Sequence, residues 1–119
     1  MNKKEFDLAE RTAKFGEDVI DLLKSIKINE INKPLISQLV RSATSIGANY
    51  EEADGAVSKK DFKNKIGTCK KESKETRLWL RMMAKSNPEK IDECRRLWKE
   101  AHELTLIFSK IIISSNSKK

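Results

Sequence analysis

Apolar residues return every three and four positions along four stretches of the chain, and the breaks between those stretches are short. That step keeps side chains on one face of a helix, whereas a strand would alternate. The pattern predicts helices over about residues 4–27, 33–53, 58–86 and 88–113, followed by a frayed polar tail at 114–119. Short connections make sequential helices antiparallel neighbours. The expected fold is therefore all-α, an up-down-up-down four-helix bundle occupying residues 1–119 as one domain.

Within the first stretch, Phe6, Ala9, Ala13, Gly16, Ile20 and Leu23 share a face, and Leu8, Thr12, Phe15, Val19, Leu22 and Ile26 form a second apolar row. Two rows exceed what a helix with one wet side needs, so this helix is expected to meet both the core and a neighbouring subunit. Asn32 is placed to cap the second helix, with Pro34 in its first turn, where a missing N–H costs nothing. Leu35, Leu39, Ala43, Ile46 and Tyr50 should point inward, and Gly55 is placed for a left-handed terminal cap. Ser58, with Asp61 three residues on, reads as the start of the third helix. Phe62, Ile66, Cys69, Ser73, Thr76, Leu80 and Met83 form its seam. Asn87-Pro88 reads as cap and first residue of the fourth helix, whose seam runs Ile91, Cys94, Trp98, Ala101, Thr105, Phe108 and Ile112. Trp98 on that seam is expected in the core, and Trp79 just beside its own seam is expected to pack or to line an interface.

Charge changes the picture at one place. The chain carries +7, and the segment Ser58–Ser86 holds ten basic residues against Asp61, Glu72 and Glu75, so the whole excess belongs to the third helix. Lys63, Lys70, Lys74, Arg77, Arg81 and Lys85 step by seven, four, three, four and four, which makes a stripe beside the apolar seam. Such a stripe either neutralises nucleic-acid phosphates, each adding a counterion-release contribution to affinity, or is a solvated face that keeps the protein soluble. It contains no base-reading signature, so recognition of RNA or DNA by shape or backbone is expected.

The residue inventory offers little to catalysis. With His102 the only histidine and Lys at position 99, the paired Glu-x-x-His motifs of a di-metal bundle are missing, and no metal or cofactor is expected. Gly16, Gly47, Gly55 and Gly67 are scattered and form no phosphate loop. Glu72 and Glu75 read as ion pairs with neighbouring cations rather than an acid–base pair. Cys69 and Cys94 fall on apolar positions and read as buried thiols of a reducing compartment. The charged segment Met1–Glu10 lacks the apolar core of a secretory signal, and the most apolar run, Leu104–Ile113, is too short to span a bilayer. A cytoplasmic protein without membrane or small-molecule partners is expected.

The second helix intersperses polar residues among its apolar ones. Gln38-Leu39-x-Arg41-Ser42-x-x-Ser45-Ile46-Gly47-Ala48-Asn49-Tyr50-x-Glu52-Ala53 resembles the signature of four-helix bundle proteins encoded by intervening sequences of bacterial 23S ribosomal RNA genes. Asp61-Phe62, Lys71-Glu72, Glu75-Thr76 and Trp79-Leu80 resemble the same family's third helix, so the likeness covers roughly Leu35–Met83. The resemblance implies a left-handed bundle, a ring-shaped homopentamer and a basic surface. It further implies kinship with accessory proteins of diversity-generating retroelements, which bind nucleic acid and a reverse transcriptase. Carried over, Arg41, Ser45, Asn49 and Glu52 are expected in an interhelix polar network, together with Glu75. Many family members have Gly where this chain has Ala53, and Gly55 is then the residue left to end the helix.

Two functions remain in view from the sequence. One is a non-catalytic, pentameric nucleic-acid-binding accessory protein that uses the third-helix stripe. The other is an interaction scaffold whose ring holds a partner protein, such as a nucleic-acid enzyme, with incidental charge.

Overall fold

In the computed structural model, which describes residues 7–117, four helices account for most of the described residues, and no strand occurs among them. They are α1 (Leu8–Lys24), α2 (Asn32–Asp54), α3 (Lys59–Ser86) and α4 (Ile91–Ser117), the last entered through a 3-10 turn at Pro88–Lys90. The molecule measures 50 × 30 × 20 Å. Its thin dimension is about two helix diameters, so the helices lie in two layers and each keeps an outward side.

Contacts between neighbouring helices run in opposite order along the chain. Gly16 lies against Ala43 and Thr44, and Gly47 against Thr12. Arg41 meets Glu75 while Lys65 meets Glu52. α1 reaches α4 through a two-pronged ion pair, Arg11 Nε to Glu100 Oε2 at 2.7 Å and Arg11 Nη2 to Glu100 Oε1 at 2.9 Å.

The α3 seam is buried from Ile66 to Met83. Its polar members are satisfied locally: Ser73 donates to the Cys69 carbonyl at 2.8 Å and Thr76 to that of Glu72 at 2.7 Å. The Thr76 and Ser42 hydroxyls, 2.9 Å apart, link α3 to α2. Facing this seam are Leu39, Ala43 and Ile46 of α2 and Cys94, Leu97, Ala101, Leu104 and Phe108 of α4. Each fully buried large side chain contributes roughly 1.5–3 kcal/mol.

Ser58 caps α3 as expected, accepting from the Asp61 N–H at 3.0 Å. Several other sequence expectations are corrected. α1 is capped by Asp7 and stops at Lys24, because the Ser25 hydroxyl and amide both turn back to the Leu22 carbonyl. Lys4 and Phe6, where the helix was expected to begin, lie outside the described residues. Of the two α1 rows, Leu8, Thr12, Phe15, Val19 and Leu22 line the core, continued past the helix end by Ile26, and in the other Gly16 and Leu23 are buried while Ala13 and Ile20 face outward.

Asn32 is not the cap of α2. Its side chain is buried and spans the turn, accepting from the Asn29 N–H at 2.8 Å and donating to the Lys27 carbonyl at 3.0 Å and Asn87 Oδ1 at 3.4 Å. Asn29 does the capping, since its Oδ1 accepts from the N–H groups of Ile31 and Asn32. Gly55 has φ −99°, so α2 ends without a left-handed residue. α4 is helical to Ser117, past the expected end at 113, so the frayed tail expected from Ser114 does not begin there. Lys118 and Lys119 lie outside the described residues.

Candidate nucleic-acid interface

Helical geometry decides how the basic residues of α3 are shared out. At 100° per residue, Lys63, Lys70, Lys74, Arg77, Arg81 and Lys85 fall within a sector of about 80°. Lys74, Arg81 and Lys85 are exposed, and Lys63, Lys70 and Arg77 are half-buried. Among the described residues, none of the six forms an ion pair with a carboxylate. The α3 acids lie elsewhere. Asp61 sits in the first turn, where it complements the positive helix end, and Glu72 and Glu75 face α2. The stripe therefore carries six cations with no acid of its own helix between them.

On its α4 side the stripe meets an aromatic pair. Arg77 Nη1 lies 2.8 Å from His102 Nδ1; a guanidinium only donates, so Nδ1 accepts and the imidazole carries its proton on Nε2. The imidazole stacks on Trp98 with ring centroids 5.1 Å apart and planes 13° from parallel, and the Arg77 guanidinium carbon lies 5.7 Å from the Trp98 ring centroid. Trp98 is 37% exposed, which corrects the expectation that it fills the core. α4 turns Leu97 and Leu104 inward instead, and Trp98 falls on the rim of the helix.

One turn N-terminal to Trp98, Leu80, Ala84, Ile91 and Cys94 floor a groove of about 230 Å³, with Arg81 and Arg95 on its sides. Burial pushes the Cys94 thiol up to about 11 and the Cys69 thiol up to about 12, so neither is a ready nucleophile. Sequence reasoning passed over His102 and Arg95. The available signal was their spacing, since Arg95, Trp98 and His102 share one helical flank at steps of three and four.

The polar residues of α2 divide into separate contacts. Arg41 joins Glu75 and approaches Glu72 Oε1 at 3.5 Å. Ser45 donates to the Arg41 carbonyl at 2.7 Å and Asn49 to the Ser45 carbonyl at 2.8 Å, so both satisfy their own helix. Glu52 pairs with Lys65 at 2.6 Å, about three turns from Arg41. Trp79 packs against the core, and its Nε1 is buried without an acceptor among the described residues.

Among the described residues, no cluster of three or more His, Cys, Asp or Glu side chains could hold a metal. Nor is any helix among the described residues long and apolar enough to cross a membrane.

The family model of the 23S rRNA-intervening sequence protein matches residues 4–112. The chain belongs to this family. A similar solved structure is that of a protein of unknown function from the S23 ribosomal protein family of Bacteroides thetaiotaomicron. It is 28% identical, with a TM-score of 0.76 over 87% of this chain and 96% of that one. None of the curated proteins matches the chain. The family match embraces the Arg41–Glu52 motif, the basic stripe and the aromatic pair together.

Proposed function

We propose that this 23S rRNA-intervening sequence family protein is a non-catalytic, homo-oligomeric nucleic-acid-binding protein of the cytoplasm, acting through the outer face of α3. The observation that carries the reading is the acid-free stripe of six cations, which holds its positive charge on one side of the molecule. Each phosphate neutralised there releases condensed counterions, an effect that needs no base contact.

A pentameric ring is the assembly we propose. A mostly apolar groove of about 310 Å³ runs between α1 and α2, where Ala9, Ala13, Gly16, Gly47 and Ala48 leave room for a close helix approach. Ile20, 38% exposed, stands at its edge. Seating a second copy there would repeat the stripe around a ring and raise the local field.

The test is binding to a short structured RNA and to duplex DNA across a salt series, with the mass of the assembly measured in parallel. Six phosphates per protomer give a log–log slope of about −5 on a duplex. Changing Lys74, Arg81 and Lys85 to Glu should remove more than half of that slope and most of the affinity while leaving the helical content intact. Unchanged binding by this variant, or none by the unaltered protein at low salt, refutes the reading. The scaffold function, in which the ring holds a protein such as a reverse transcriptase, would then take its place.

A further inference from the structure

We propose that the α3–α4 groove beside Trp98 is a seat for one unpaired nucleobase of a single-stranded segment, with the flanking phosphates held by Arg81 and Arg95. The inference rests on the reading of α3 as a nucleic-acid surface and adds what the stripe alone does not provide, a preference for bases that are not paired. Three observations converge on it.

The first is that the indole is both exposed and fixed. A loose surface tryptophan would lose rotamer freedom on stacking. Here His102 lies against the ring at 5.1 Å, and Arg77, bonded to His102 at 2.8 Å, sits over the same ring. The ordering cost is met before a ligand arrives, which is what preorganisation contributes to affinity. His102 stacks from one turn C-terminal to Trp98, and the groove opens on the turn that precedes it, so the groove lies away from the imidazole.

The second is the groove's size and lining. At about 230 Å³ it falls below the 300–1,000 Å³ typical of sites for drug-sized ligands, so a single flat ring suits it better than a whole nucleotide. Its floor of Leu80, Ala84, Ile91 and Cys94 is apolar and no carboxylate lines it.

The third is position. Arg81 belongs to both the groove wall and the stripe, so a backbone tracking Lys74, Arg81 and Lys85 passes the mouth of the groove. Aromatic stacking beside a cationic track is how sequence-tolerant single-strand binders work, because every base offers a π-face. A duplex keeps its bases paired and cannot fill the site. An acidic peptide would satisfy the arginines but not the flat apolar floor.

The experiment uses the full chain carrying Trp79→Phe, which leaves Trp98 as the sole tryptophan reporter. It is titrated with a short oligothymidylate and with an oligonucleotide of equal length whose central positions are abasic. We expect the base-bearing strand to quench Trp98 emission and to bind roughly ten-fold more tightly, a moderate value for one stacked base. Read instead from the anisotropy of a fluorescein-labelled strand, because these variants hold no tryptophan, Trp98→Ala should abolish that preference and leave abasic binding unchanged, while Trp98→Phe, which keeps a smaller ring, should retain part of it. Equal affinity for the two strands overturns the base seat and leaves the phosphate-binding stripe standing. Failure of both strands to bind overturns both readings. A polyglutamate peptide that quenches Trp98 and competes as well as the oligothymidylate also overturns the seat, by reassigning the groove to acidic chains.

Discussion

Removing the guanidinium of Arg41 tests how strongly the α2 motif is bound to α3. Glu72 is a buried carboxylate, its side chain 10% exposed, and the only ion pair it makes among the described residues is with Arg41, at 3.5 Å. At that distance the Coulomb attraction is about 5 kcal/mol with an effective dielectric of 20 and about 1 kcal/mol in bulk water. Arg41 is 48% exposed, so solvent screening pulls the value toward the lower bound. Leaving a largely buried charge without its partner pushes the other way. We expect Arg41→Met to cost about 2 kcal/mol. For a 119-residue chain with an unfolding entropy of about 2.1 cal/mol/K per residue, that lowers Tm by about 8 °C. Glu72→Gln removes the charge instead of orphaning it, so the double variant should be less destabilised than the two single effects combined, with a coupling of roughly 1–2 kcal/mol. The assay is thermal and urea unfolding of the four proteins at one fixed protomer concentration, since assembly would otherwise shift the midpoints. A coupling below about 0.5 kcal/mol would refute the reasoning and make the contact geometric only.

Other perturbations follow from the same structure. Asn32→Ala should destabilise by roughly 1–2 kcal/mol in urea, because it removes the two hydrogen bonds by which the buried Asn32 side chain holds the Asn29 amide and the Lys27 carbonyl of an otherwise exposed turn. Gly67 lies within α3 where a methyl group added at its Cα would meet nothing within 4 Å, so Gly67→Ala should stabilise by about 0.5–1 kcal/mol through helix propensity. Oligonucleotide affinity should not change; a loss would mean that a backbone approaches the helix at that gap. Cys69 and Cys94 should resist iodoacetamide in the native protein and react once urea unfolds it. At pH 8, with its thiol pushed up to about 12, only about one Cys69 in ten thousand is thiolate. Labelling should therefore quicken as pH rises, and fast alkylation at neutral pH would contradict the burial of both residues.

The parts of this fold that were legible in the sequence are those where one local rule acts alone. The α3 seam carries a single apolar row, and Ser58 has a helix N-terminus and no competing contact, so spacing and capping chemistry sufficed. α1 carries two overlapping apolar rows. A 3.6-residue period reports that both exist but not which one the neighbouring helices cover, and on α4 the spacing draws the seam through Trp98 although Leu97 and Leu104 are the residues that turn inward. Asn32 has the right chemistry for a cap, but its amide is drawn to Asn87, 55 residues away, and only tertiary structure supplies that partner. At the candidate interface the stripe could be read from charge spacing. Spacing alone puts Trp98 and His102 on one flank of α4, but what fixes them there is Arg77 of α3 reaching His102, which only the tertiary structure supplies.

The Asn29–Asn32–Asn87 cluster ties together the α1–α2 and α3–α4 connections at one end of the molecule. Among the described residues, the α2–α3 connection is held by short-range bonds, Gly55 N–H to the Glu51 carbonyl, Ala56 N–H to that of Ala53 and the Ser58 cap on Asp61, and Val57 at its tip is 95% exposed. The bundle thus has a stiff pole and a compliant one. A fluorophore or epitope loop grafted after Val57 should be carried with little disturbance, whereas the same graft at Ile31 would pry apart two connections at once. The compliant pole is the natural handle for tethering the protein to a bead or surface while α3 stays open to its ligand.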